Sequence, residues 1–269
     1  MDRIREAVTR ARSAQPKVGE ALSRAGGAVR FQASAPIDSG AFHEVRCDFE
    51  MFPTHRIISN EQDPVLAAYR ILRTRVLQKM EKEGWRTLAI ISPNSGAGKT
   101  VTAINLGIAI ASKAGTRVML ADLDFYRPSV SKYLGIAEAP SILDFFEGKS
   151  TLREATVRPD LPDMLLTTNE RVSRRGAEHL TSAKADELIN RGLNEFGAQV
   201  MIFDISPVLG CDDAIAFLPK VDCALMIAAS GNTRQSDLKD ALRLIGQTKL
   251  IGTVLNKAPV GSLTPSYYY

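Results

Sequence analysis

Thr87-Leu88-Ala89-Ile90-Ile91-Ser92-Pro93-Asn94-Ser95-Gly96-Ala97-Gly98-Lys99-Thr100 is the stretch that decides the fold. Its first five residues are apolar or β-branched without alternation, which predicts a strand buried on both faces. Residues 101–114 follow with few helix breakers and predict a helix. Between them lies a glycine-bearing turn ending in Gly98-Lys99-Thr100. In that context backbone N–H groups of the turn and of the helix N-terminus cradle phosphate oxygens. The expected nucleotide-binding residues are therefore Ser95, Gly96, Ala97, Gly98, Lys99, Thr100 and Val101. Lys99 reaches the phosphates and the Thr100 hydroxyl is a ligand for Mg²⁺. Pro93 stands where the usual pattern of this loop has its first glycine.

Downstream, apolar runs alternate with helical segments. Strands are predicted at 117–122, 164–167, 200–204, 223–228 and 250–255. Helices are predicted at 141–148, 178–196, 212–218 and 237–245. Upstream, Asp63-Pro64 reads as an N-cap and first helical residue. Val65, Leu66, Tyr69, Leu72, Val76 and Met80 then recur at helical spacing until Gly84. The alternation predicts an α/β fold: a P-loop NTPase-like, mostly parallel sheet with helices on both faces. In such sheets ligands sit at the carboxyl ends of the strands. Asp122, Asp124 and Asp204 all fall at strand ends, so they are expected to converge with the glycine-rich turn on one Mg–nucleotide site. Asp204 closes the run Val200–Phe203 in the manner of a Walker B acid. Asp122 is placed to accept a proton from an attacking hydroxyl. Asn256, after the last strand, reads equally as an adenine-bonding residue and as a turn residue.

The chain has 269 residues, of which 45% are hydrophobic and 24% charged, as in globular proteins. No apolar run approaches the roughly 20 residues of a membrane span, and no signal-peptide core is visible, so a cytoplasmic chain is expected. Cys47, Cys211 and Cys223 have no metal or redox spacing and are assigned no chemistry. Residues 1–30 carry seven basic and three acidic side chains, an excess equal to the whole net charge of +4. This arm reads first as a solvated tail, with an acidic membrane surface or an acidic partner as its alternative contact. Residues 1–60 are expected to form a basic, mostly flexible extension, with a weakly amphipathic first helix around Ile4–Ala11 and a short ordered piece at Phe42–Phe52. Residues 61–258 are expected to form the P-loop domain, and 259–269 a flexible tail holding Tyr267, Tyr268 and Tyr269. No nucleic-acid partner is expected.

Several motifs together resemble the bacterial protein-tyrosine kinases of capsule and exopolysaccharide synthesis, the CpsD/CapB/Wzc type. Tyr69-Arg70-Ile71-Leu72-Arg73-Thr74 resembles that family's "YRxLRT" helix, and Ser92–Thr100 its Walker A. Leu120-Ala121-Asp122-Leu123-Asp124-Phe125-Tyr126-Arg127-Pro128 resembles its "DxDxRxP" Walker A′. Asp204-Ile205-Ser206-Pro207-Val208-Leu209 with Asp213-Ala214 resembles "DTPPVL…DA", and Gly252-Thr253-Val254-Leu255-Asn256 resembles "GVVLN". The resemblance runs from about Asp63 to the end of the chain. It implies phosphoryl transfer from ATP to tyrosine, with Tyr267–Tyr269 as acceptors on a neighbouring subunit. It implies Lys99, Asp122, Asp124 and Asp204 as catalytic residues, and Thr100, Asp122 and Asp204 at the metal. Further implications are Arg70 and Arg73 at a homo-oligomer interface, a separate membrane polysaccharide co-polymerase as activator, a cognate tyrosine phosphatase, and recruitment to the inner face of the membrane.

The chain departs from that pattern at four places. Ala67 stands where the family has a Glu that pairs with arginines across subunits of a ring. Tyr126 replaces an Arg, Ile205-Ser206 replaces Thr-Pro, and the tail has only three tyrosines. Two other readings are open. A scaffold or pseudokinase would bind nucleotide without efficient transfer. A ParA/MinD-type ATPase would carry a second Lys in the turn, at the position of Asn94.

Overall fold

The computed structural model describes residues 42–58 and 63–259. The first helix expected near residues 4–11 and the tyrosine tail lie outside them. Eight strands form one sheet: β1 (His43–Val45), β2 (Thr87–Ile91), β3 (Val118–Leu123), β4 (Thr156–Pro159), β5 (Met164–Thr167), β6 (Val200–Ile205), β7 (Cys223–Ala229) and β8 (Leu250–Asn256). Their spatial order is β1-β4-β5-β3-β6-β2-β7-β8. Strands β5, β3, β6, β2, β7 and β8 run parallel. Among the described residues only the β4–β5 pairing is antiparallel.

The helices are α1 (Phe52–His55), α2 (Pro64–Glu83), α3 (Lys99–Ala111), α4 (Val130–Leu134), α5 (Ile142–Phe146), α6 (Gly176–Thr181), α7 (Ala183–Asn194), α8 (Asp213–Phe217) and α9 (Gln235–Leu244). The six expected strands are all present. The uniformly apolar runs have the expected cause, because both faces of the central strands are covered. Leu88, Ile90, Leu120 and Ile202 pack in one core with Ile104 of α3. Ala89, Ile91, Met119 and Phe203 pack in the other with Leu188 of α7 and Phe217 of α8. None of the described helices is long and apolar enough to cross a membrane.

Helix α2 starts and stops as its sequence dictates. The Asp63 side chain accepts from Val65 N–H, and Gly84 closes the helix in the left-handed region at φ 75°. The segment 178–196, expected as one helix, is instead two. Ser182 takes an extended conformation between α6 and α7, and its hydroxyl donates to the His179 carbonyl. Hydroxyls of this kind compete with the helical ladder, and Thr181 and Ser182 stand side by side at the break. Strand β4 escaped the sequence reading because it is short and ends in Pro159, a residue that argues against a strand.

The short ordered piece expected at Phe42–Phe52 is present and runs on to residue 58. Residues 42–58 belong to the folded unit. Strand β1 extends the sheet on β4, and Phe52 and Ile57 are fully buried in the same core as the P-loop helix. The buried Asn105 of α3 ties this segment down. Its carbonyl oxygen accepts from Ile58 N–H at 2.9 Å, and its amide donates to the Arg56 carbonyl at 2.8 Å. Burying two such apolar side chains contributes about 3–6 kcal/mol. That is enough to order a short segment next to the Ala-, Gly-, Ser- and Pro-rich stretch before it.

Candidate nucleotide-binding site

The parallel strands end on one side of the molecule, and that side holds the chemistry. Strand β2 runs into the turn, and α3 begins at Lys99, two residues earlier than the sequence predicted. The turn needs glycine where it bends: Gly96 has φ 77° and Gly98 φ 93°. A Cβ on Gly98 would also run into the Asn256 side chain. With no acidic residue in the first turn of α3, its free N–H groups and positive dipole end face outward to an anion.

Above the turn lies a cavity of about 590 Å³, lined by Ser95, Gly96, Lys99, Thr100, Asp124 and Arg127 among others. Lys99 is buried, and its Nζ lies 3.7 Å from Asp124 Oδ2. The Thr100 hydroxyl donates to Asp204 Oδ2 at 2.6 Å and lies 3.2 Å from the Ser129 hydroxyl. Asp122 and Asp204 are paired across β3 and β6 in register. Both are completely buried and stand behind the cavity wall rather than in it. Asp122 Oδ2 accepts the N–H groups of Ser129 and Val130, each at 2.9 Å, at the start of α4.

Burial raises both of these carboxyls. Asp122 is pushed well above the usual carboxylate range, by desolvation first and by the Asp204 charge second. Asp204 is raised to about 6 by desolvation, against the opposing pull of the Lys99 charge and the Thr100 hydrogen bond. Asp213 is likewise raised to about 6, chiefly by burial and then by Asp212.

Four of the expected phosphate-loop and carboxylate residues, Lys99, Thr100, Asp124 and Asp204, meet directly through side chains. Ser95 and Gly96 are exposed at the mouth, Ala97 is buried beneath the turn, and Val101 is half-buried on α3. Asn256 lies against the phosphate loop. Its amide donates to the Ala97 carbonyl at 2.9 Å, so it braces the phosphate loop from outside. Lys257, next in the chain, donates to the Gly96 carbonyl at 2.8 Å. Asn94, at the position where ParA/MinD proteins carry their second Lys, donates to Asp237 of α9 at 2.7 Å. On α2, Arg70 is exposed, whereas Arg73 turns back and donates to the Ala109 carbonyl near the end of α3 at 3.0 Å.

Sequence reading missed Ser129 and Ser206. Ser206 donates to Asp124 Oδ1 at 2.9 Å and lies 3.3 Å from Asp213 Oδ2. A second cleft of about 580 Å³ lies by Trp85, Asp222 and Lys249, at the opposite ends of the strands, far from this constellation.

The residues fit a magnesium ion. Asp204 Oδ1 is buried with no hydrogen-bond partner, an orphan oxygen that a cation would satisfy. No cluster of three His, Cys, Asp or Glu forms a metal cage among the described residues. A sparse protein donor set completed by phosphate and water suits Mg²⁺, which keeps several waters.

Residues 88–264 match the family described as the CobQ/CobB/MinD/ParA nucleotide binding domain. The chain belongs to that nucleotide-binding family. Among curated relatives, tyrosine-protein kinase YwqD of Bacillus subtilis is 24% identical over 203 residues, 75% of this chain and 84% of YwqD. EpsB of Ralstonia nicotianae is 24% identical over 210 residues, 77% of this chain but only 27% of EpsB. This chain therefore spans about a quarter of EpsB. The solved kinase domain of Escherichia coli tyrosine kinase ETK superposes with a TM-score of 0.70 at 21% identity, over 79% of this chain and 83% of that one. The motif-based resemblance to bacterial tyrosine kinases is thus matched by the relatives, and the parallel α/β architecture by the fold.

Proposed function

We propose that this chain is an ATP- and Mg²⁺-dependent tyrosine autokinase of capsular or exopolysaccharide synthesis, modifying Tyr267, Tyr268 and Tyr269 of a neighbouring copy. One observation carries the reading: Lys99, Thr100 and Asp124 line one nucleotide-sized cavity, with Asp204 behind it on the Thr100 hydroxyl, in a chain whose curated relatives include named tyrosine-protein kinases. Transfer of this kind depends mostly on positioning and charge stabilisation, which a fixed backbone cradle supplies.

Each residue has a distinct task. The N–H groups of the turn orient the phosphates, and Lys99 offsets the charge that develops on the transferred group. Thr100 and Asp204 would hold Mg²⁺, which when bound spreads the negative charge of the phosphates. Asp122, buried and raised, is the candidate acceptor of the tyrosine proton. The Ser129 and Val130 N–H groups that it accepts fix its orientation. The partners that go with this reading are a membrane polysaccharide co-polymerase as activator, a cognate phosphatase, and further copies of the chain, at the inner face of the membrane.

Ala67 favours one second reading. With the expected acid absent and Arg73 engaged within its own chain, the ring contact lacks its ion pair, as a nucleotide-binding scaffold would tolerate. Intact-mass spectrometry of the full chain with and without MgATP separates the two. A ladder of phosphate additions on Tyr267–Tyr269, reduced at least 10³-fold in Lys99→Met, is the expected result. An unchanged mass in the presence of the activator's cytoplasmic segment would leave the scaffold.

A further inference from the structure

Lys99 and Asp124 form an ion pair that does not close. Both are nearly buried, at 7% side-chain exposure each, where water screens their attraction poorly. Their 3.7 Å separation is still well beyond the ~2.7–2.9 Å of a charge-assisted hydrogen bond. The other oxygen of Asp124 explains the gap. Oδ1 accepts from the Ser206 hydroxyl at 2.9 Å and from Arg127 N–H at 3.0 Å.

We infer that Ser206 is a positioning residue that keeps Asp124 from closing on Lys99, leaving the Lys99 ammonium available to nucleotide phosphate. The inference rests on the nucleotide-binding part of the proposed function.

The hydroxyl is well placed for the task. Ser206 is completely buried, just past the end of β6. The loop that carries it is tied to the end of β2, because Val208 N–H donates to the Ser92 carbonyl at 2.9 Å and Leu209 N–H to the Pro93 carbonyl at 3.0 Å. A serine hydroxyl has one proton to give. The shorter contact is to Asp124, and Asp213 stands behind at 3.3 Å. Without the hydroxyl, the Arg127 N–H alone would hold Oδ1. The carboxylate would then swing onto Lys99 and compete with phosphate for its charge. A proline at this position, as in the pattern the chain resembles, offers no donor, so this restraint is a property of this chain.

Titration calorimetry of the full chain with MgADP tests the inference. Ser206→Ala is expected to bind about tenfold more weakly, and Ser206→Thr, which keeps the hydroxyl, within about twofold of the unaltered chain. The decisive variant is Ser206→Ala combined with Asp124→Asn. Removing the carboxylate charge frees Lys99 again, so most of the lost affinity returns, a non-additivity that general loosening of the loop would not produce. Unchanged binding in Ser206→Ala, or a loss that Asp124→Asn leaves in place, would overturn the inference. Thermal melting of each variant identifies any loss that comes from unfolding. If the unaltered chain binds MgADP but phosphorylates no tyrosine even with the activator's cytoplasmic segment present, the kinase reading fails while the Ser206 result stands. Failure of the unaltered chain to bind MgADP would overturn both.

Discussion

The nucleotide site and the segment 42–58 lie on the same helix, α3, and are built on opposite principles. At the N-terminal end of α3, charges and polar groups are buried: Lys99 is paired loosely, Asp204 has an orphan oxygen, and Asp122 and Asp204 face each other across two strands. Halfway along the helix, Asn105 holds 42–58 through two good hydrogen bonds, and Phe52 and Ile57 fill the core. The first region costs stability and is arranged for a ligand. The second contributes stability and holds the helix in place. Strained chemistry and ordinary packing sit within a few turns of each other, and the second compensates for the first.

Four substitutions sharpen or break this contrast. The largest effect belongs to Phe52→Ala, expected to cost about 3–5 kcal/mol as a large core truncation. That lowers the melting temperature by roughly 10 °C for a domain of this size. A change within 2 °C in calorimetry would show that 42–58 is not part of the cooperative unit.

Asp204→Asn should act in the other direction. A carboxyl raised to about 6 in the folded state and near 3.8 when unfolded destabilises the fold once ionised. The native state holds the proton more tightly, so stability is greatest below the unfolded value and declines as pH rises through 6. The Asn variant lacks Asp204's share of that decline and keeps the shares of Asp122 and Asp213, which burial also raises. It should match the unaltered protein near pH 4 and exceed it by on the order of 2–3 kcal/mol at pH 7.5, while losing Mg²⁺-dependent nucleotide affinity. Parallel stability curves across that range, read by urea melts, would remove the site from the destabilised side of the comparison.

Asn105→Ala comes next. It leaves the Ile58 N–H and the Arg56 carbonyl without their partner, at a cost of about 1–3 kcal/mol. Hydrogen exchange should rise at Ile58 while the β2 and β6 amides stay protected. Smallest is Arg73→Ala, which removes a charge-assisted bond to a C-terminal carbonyl of α3. The expected loss is about 1 kcal/mol, with no change in the oligomer measured by light scattering. A change of assembly would support the interface role that the resemblance implies for Arg73.

What the sequence made legible follows from what chemistry demands of neighbours in the chain. Phosphate binding needs Gly98, Lys99 and Thr100 in immediate succession, and parallel strands need unbroken apolar runs. Both leave local marks, and those marks led to Asp122, Asp124 and Asp204. The Ser206–Asp124 bond joins residues 82 apart, and the Asn105–Ile58 bond residues 47 apart. No periodicity announces either, and Ser206 registered only as a departure from a motif. The Asn256–Ala97 bond leaves no local mark either, because it depends on where β8 ends relative to the turn. Strand β1, three residues long, is too brief for any pattern to show.

The brace by Asn256 and Lys257 ties the end of β8 to the phosphate loop. Eight residues lead from Pro259 to Tyr267, and their covalent reach is at most ~28 Å. Under the proposed autokinase reading, any cavity that receives Tyr267, in whichever copy, must open within that radius of Pro259. Two side chains that steady the loop would thereby also anchor the point from which that spacing is counted.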